Sequence, residues 1–178
     1  FQTVHSDEWN YDLPNVPLVV DLEVDGEEIP AVIQTTKQGL MFTFNRETGE
    51  PVWPIEEVEV LQTEVPGNWT AATQPIPTWP EPFEPLGLPL EDVIDFTPDL
   101  REQALEIISD YRVGGPYLPR LHEGHNSSVV DNIRCYGGLN ITNPATLDPS
   151  TGILYASHSR RCGGGTVVSG ADQDQPDR

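Results

Sequence analysis

The chain has 178 residues, and its Pro 18 and Gly 15 are too many for a helical bundle but too few for a low-complexity disordered chain. Lys+Arg 9 against Asp+Glu 29 leaves a formal charge of -20, which repels nucleic acid and anionic lipid and excludes both as partners. The acidity reads as a solubility surface, with a cation site as the alternative.

Residues 1–16 are polar and aromatic and read as a loop that leads into a strand at residues 17–23, a β-branched apolar run. Asp25-Gly26 is a two-residue hairpin signal, followed by a second strand at 29–35 and a third at 39–44. A turn at 47–50 precedes a fourth strand that starts at Pro51-Val52-Trp53, whose tryptophan is expected to bury. Four short strands within about forty residues make one propeller blade. Residues 45–53 have a partial copy at 147–155: an acid or amide, then Thr-Gly, then an aromatic residue. Two unrelated turns would look the same.

Residues 54–128 form a Pro-rich insertion whose proline density is expected to block regular strands and helices. One helix interrupts it at about 98–112, with Thr97 as N-cap, Pro98 in the first turn and apolar residues at helical spacing. Residues 129–168 read as a partial blade and 169–178 as a disordered tail, all within a single domain of 1–178. Cys135 and Cys162 suit either one disulfide or two buried thiols, and their spacing fits no zinc motif. Asn-X-Ser/Thr sequons arise often by chance and carry no weight. The chain opens on Phe1, inside what reads as a motif. No signal-peptide pattern and no membrane-spanning apolar run is present.

The opening run, residues 1–14 from Phe1 to Pro14, resembles a segment of the pyrroloquinoline-quinone (PQQ) dehydrogenases of the glucose and alcohol type. Ile33-Gln34-Thr35-Thr36-Lys37-Gln38-Gly39 resembles their lysine-bearing strand. Residues 45–57 look like a blade end, Thr73-Gln74-Pro75-Ile76-Pro77 like another family segment, and Gly137-Gly138-Leu139-Asn140 like the opening of a later blade. The resemblance implies an all-β partial propeller: about one complete blade, parts of its neighbours, and the long insertion. The expected state is a fragment of an eight-bladed enzyme that needs the remainder of the propeller.

The resemblance also implies hydride transfer from a sugar or alcohol CH–OH group to PQQ, while a carboxylate removes the hydroxyl proton and Ca²⁺ polarises the quinone. A quinone or cytochrome would take the electrons, in the periplasm or at a periplasm-facing membrane. The family base follows the first-motif tryptophan, and here that position is Asn10, which has no useful basicity. Asp12 lies about 7 Å further along an extended chain and is a substitute candidate; Asp7 is expected to fix the loop. Lys37 follows Asn10 by 27 residues, in the register of the sugar-oxidising relatives, and is the expected cofactor-binding cation. His5 stands where the family has the first of two histidines, with Ser6 replacing the second, and is a substrate-side candidate. Asn140 is a cofactor-contact candidate. No metal ligand can be matched, since the family's Ca²⁺ ligands come from other segments. A non-catalytic propeller that has lost its base is the alternative.

Overall fold

The computed structural model describes residues 1–124, 128–129, 131–136, 145–159 and 161–168. Strands β1 (Leu18–Val24) and β2 (Glu27–Thr35) form an antiparallel hairpin with Val24 opposite Glu27. The loop is Asp25-Gly26, with φ of 52° and 83°. Positive φ at both positions matches the twist of the flanking strands. Strand β3 (Met41–Asn45) pairs with the other side of β2, giving the sheet order β1-β2-β3. Ala31, Ile33 and Thr35 alternate into the core, and Thr43, opposite Ile33, is buried with them, as a period of two requires.

The expected fourth strand at Pro51-Val52-Trp53 is reduced to one bridge, Pro51 opposite Phe44, with the Val52 N–H donating to the Thr43 carbonyl at 2.9 Å. Pro51 has no N–H to extend the ladder, and Pro54 turns the chain away. Trp53 stays half-buried.

The insertion departs further from expectation, because its prolines do not exclude strands. Strand β4 (Ile55–Glu59) pairs with β5 (Thr73–Pro77), although β5 holds Pro75 and Pro77. Thr78 N–H donates to Pro54 and Val60 N–H donates to Ala72 across this pair. Even-numbered residues of β5 therefore face β4. The two prolines fall at odd positions, where the missing N–H would point away from the ladder.

Helix α1 (Pro98–Ser109) starts at Thr97, whose side chain accepts the Leu100 N–H. It stops short of residue 112 because Tyr111–Val113 is taken up as β6, parallel to β7 (Asp131–Tyr136). Strand β10 (Arg161–Gly163) pairs with the other side of β7, and β8 (Thr146–Asp148) forms a hairpin with β9 (Ile153–Tyr155). Among the described residues no helix is long and apolar enough to cross a membrane.

The two sequence copies share one turn geometry. Asn45 Oδ1 accepts the N–H groups of Glu47 and Thr48, and Asp148 Oδ1 accepts that of Ser150. Four residues on, Gly49 and Gly152 sit at φ of 77° and 69° and donate back to the carbonyls of Asn45 and Asp148. The Ser150 hydroxyl and N–H hold the Asp148 carboxyl below the usual carboxylate range.

Cys135 and Cys162 are disulfide-bonded. The β7–β10 register sets them opposite each other with Cα atoms 4.0 Å apart. For a separation of 27 residues the loop-closure entropy amounts to about 3–4 kcal/mol. Reduction is expected to lower the urea midpoint accordingly. An unchanged midpoint in dithiothreitol would show that this part of the sheet does not take part in global unfolding.

An aromatic cluster of Trp9, Tyr11 and Tyr117 forms a core beneath the opening loop, with Val4, Val60 and Ile76 packed against it. The Tyr11 hydroxyl donates to the Pro116 carbonyl at 2.7 Å, and Gln38 Nε2 donates to the Tyr117 hydroxyl at 3.4 Å. Burial pushes the Tyr117 phenol up to about 12. Above pH 10 the unfolded chain releases this proton while the folded chain keeps it, so stability falls as pH rises towards 12. The loss is about 3 kcal/mol when complete. Tyr117→Phe is expected to flatten the alkaline limb of a urea-midpoint profile; an unaltered slope would assign the alkaline loss to other groups.

Candidate functional site

The loop of residues 7–11 is organised by one carboxylate. Asp7 Oδ1 accepts the Trp9 N–H at 2.8 Å and Oδ2 accepts the Tyr11 N–H at 2.7 Å. This is the loop-fixing role expected of it. Between them Asn10 takes φ of 66°, a left-handed conformation that Asn tolerates better than most residues. The result turns Trp9 and Tyr11 inward and leaves Asn10 exposed.

Lys37 arrives from the turn between β2 and β3. Thr36 N–H donates to the Leu40 carbonyl and Gly39 N–H to that of Thr36. Thr36, Gln38 and Leu40 are buried, which anchors the turn on both sides of the lysine. Lys37 Nζ donates to the Asn10 carbonyl at 3.0 Å and to Asp12 Oδ1 at 2.5 Å. The lysine side chain is 19% exposed and that of Asp12 is 61% exposed. The structure thus brings together Asn10, Asp12 and Lys37. The carboxylate on the lysine belongs to Asp12, and Asn10 contributes its backbone.

His5 belongs to a second hydrogen-bonded group. Fully buried Gln74 on β5 grips its backbone, accepting the His5 N–H at 2.8 Å and donating to its carbonyl at 2.7 Å. The ring meets Gln2 Oε1 through Nδ1 at 3.1 Å and Glu57 Oε1 through Nε2 at 3.0 Å. The Thr73 hydroxyl donates to Glu57 at 2.6 Å. These bonds, that of Thr73 first and that of His5 second, hold the Glu57 carboxyl below its ordinary value. Gln74 stands in a quoted sequence motif, so its presence was visible and its grip was not. Glu57 has no local signal, because it reaches His5 only through the β4–β5 pairing.

Another acid of the loop has a different use. Glu8 accepts the Arg120 N–H at 3.1 Å and the Asn68 amide at 2.9 Å, which ties the loop to distant chain. Trp9 packs in the core. Asn140 lies outside the described residues, as does the stretch 169–178. Among the described residues no group of three or more His, Cys, Asp or Glu could hold a metal ion.

A family model, the PQQ glucose/ethanol/alcohol dehydrogenase β-propeller domain, matches residues 1–177. The chain belongs to this family. It is a partial β-propeller, and its described residues form mostly antiparallel strands with one α-helix and no closed barrel. It is similar to the quinoprotein glucose dehydrogenase of Gluconobacter oxydans (strain 621H), 42% identical over 77 residues, which are 43% of this chain and 10% of that protein. It is 39% identical over 77 residues to a probable quinate dehydrogenase (quinone) of Xanthomonas campestris pv. juglandis, covering 43% of this chain and 10% of that protein. A glycerol dehydrogenase large subunit of Gluconobacter oxydans (strain 621H) is 38% identical over 104 residues, 57% of this chain and 12% of that protein. The chain thus covers about a tenth of these curated relatives. No solved structure matches.

The Lys37 ammonium has the chemistry to meet an anionic oxygen, such as a quinone edge would present. A lysine ammonium carries three donors, and among the described residues Asn10 and Asp12 engage two. The third donor of this largely covered cation would serve an anionic oxygen.

Proposed function

We propose that this chain is part of a PQQ-dependent oxidoreductase that oxidises a CH–OH group of a sugar or alcohol. The observation that carries the reading is the Lys37 ammonium held between the Asn10 carbonyl and the Asp12 carboxylate. PQQ, when bound, supplies the hydride acceptor. Lys37 neutralises negative charge at the edge of the quinone. Asp12 accepts the substrate hydroxyl proton, and the Asn10 amide hydrogen-bonds the substrate beside it. His5, oriented by Glu57 and Gln74, faces the substrate side. Glucose, quinate and glycerol, named for the relatives, are all polyhydroxylated and support a sugar or polyol substrate.

A quinone or cytochrome acceptor, Ca²⁺ held by other segments and the remainder of the propeller complete this reading. The Cys135–Cys162 disulfide supports a periplasmic or periplasm-facing location, where such bonds persist. The test is dye reduction by the full-length protein reconstituted with PQQ and Ca²⁺, across sugars and alcohols, against Asp12→Asn. Turnover that depends on Asp12 supports the reading.

A second reading is a propeller that binds its ligand without turnover, favoured by the amide at Asn10. It expects PQQ binding without dye reduction, and turnover that appears in Asn10→Asp.

A further inference from the structure

The Lys37 turn is held from a side that no assigned residue explains. Gly39 sits at φ of 85°, and its carbonyl accepts the Phe83 N–H at 3.0 Å. A Cβ at Gly39 would lie 2.5 Å from Cγ of Glu84, so the turn rests directly on that side chain. Glu84 comes from the Pro-rich insertion, yet its side chain is only 4% exposed. Its Oε2 meets Nδ1 of His158 at 3.0 Å. The His158 ring packs edge-on against Phe83, with centroids 6.0 Å apart. His158 follows β9, so residues 83–84 are sandwiched between the Lys37 turn and the chain after the second partial blade.

Burying a carboxylate is unfavourable unless it is paired, and an apolar side chain would fill the same space at less expense. A hydrogen-bonded carboxylate instead fixes one position for the backbone it touches. On the other side of the turn, Gln38 is tied to Tyr117 in the aromatic core. Lys37 directly precedes these two anchored residues, Gln38 and Gly39.

We propose that Glu84 and His158 form a clasp that sets the position of Lys37 for PQQ, as positioning residues acting through the Gly39 turn. This rests on the reading that Lys37 meets the quinone. The clasp fixes one bound geometry of the ammonium, so its loss weakens cofactor binding through Lys37 and through nothing else.

The test is a double-mutant cycle on the full-length protein, with PQQ titrated and binding followed by tryptophan fluorescence, without turnover. Glu84→Ala is expected to weaken PQQ binding about tenfold, and Glu84→Gln, which keeps an acceptor for His158, to restore most of it. In a Lys37→Ala background Glu84→Ala should add less than about twofold, because coupled residues are not additive. The same tenfold loss without the lysine, or no loss with it, overturns the clasp. If Lys37→Ala alone binds PQQ as the wild type does, the reading of Lys37 itself fails, and that outcome is separate from the other two. Should Glu84→Ala lose its near-UV circular dichroism, His158→Gln at the more exposed end takes its place in the cycle, with the same expectations.

Discussion

Asp12→Asn is expected to lower turnover about 10²–10⁴-fold, the usual contribution of a positioned general base, while PQQ binding stays close to that of the wild type. The separation follows from the geometry. Asn is nearly isosteric with Asp and keeps an oxygen that can accept from Lys37 Nζ, so the lysine stays between Asn10 and residue 12. What disappears is the only ionisable acceptor that touches the lysine among the described residues. Asn10 cannot compensate, since an amide takes no proton at neutral pH. Glu8 is engaged by Arg120 and Asn68, and Asp7 by two backbone N–H groups, so both are held in structural contacts. Steady-state dye reduction and a PQQ titration on the same preparation check both halves. Turnover within about twofold of wild type would remove Asp12 as the base. The His5–Glu57 pair would then be the next acceptor to test, because Glu57 Oε1 meets the His5 ring at Nε2.

Trp9→Ala is expected to destabilise the fold by about 3–5 kcal/mol, the range for truncating a buried aromatic side chain. Trp9 is 4% exposed and meets the rings of Tyr11 and Tyr117 with centroids 6.2 Å and 5.3 Å away. Its indole N–H also donates to the Leu118 carbonyl at 2.9 Å, and that acceptor would be left buried without this donor. Because the residue shares its loop with Asn10 and Asp12, the substitution should also weaken PQQ binding, and more steeply than its fold effect would suggest at low denaturant. Urea unfolding gives the first quantity and the cofactor titration the second. A loss below about 1 kcal/mol would mean that the loop packs loosely and that Asp7 alone sets its shape.

The elements that local chemistry specifies were legible along the chain. The Asp25-Gly26 hairpin, the Thr97 cap with Pro98 in the first turn, and the paired Thr-Gly turns each depend on residues a few positions apart. Backbone torsions and short-range hydrogen bonds settle such features before any distant part of the chain arrives. The family motifs were legible too, because they are long runs of specific residues. They placed Asn10 and Lys37 in the same site.

Pairings between distant segments were decided only in three dimensions. Pro75 and Pro77 look like strand breakers until the register turns their nitrogens away from β4. Cys135 and Cys162 were equally compatible with thiols until β7 and β10 came into register. The carboxylate that meets Lys37, the grip of Gln74 on His5 across 69 residues and the Glu84–His158 pair across 74 residues all depend on packing. Sequence spacing carries no trace of such contacts, because their entropy of closure is overcome only by the assembled core. The sequence by itself determined the turns, the helix start and the family; the tertiary structure decided which carboxylate stands on the lysine.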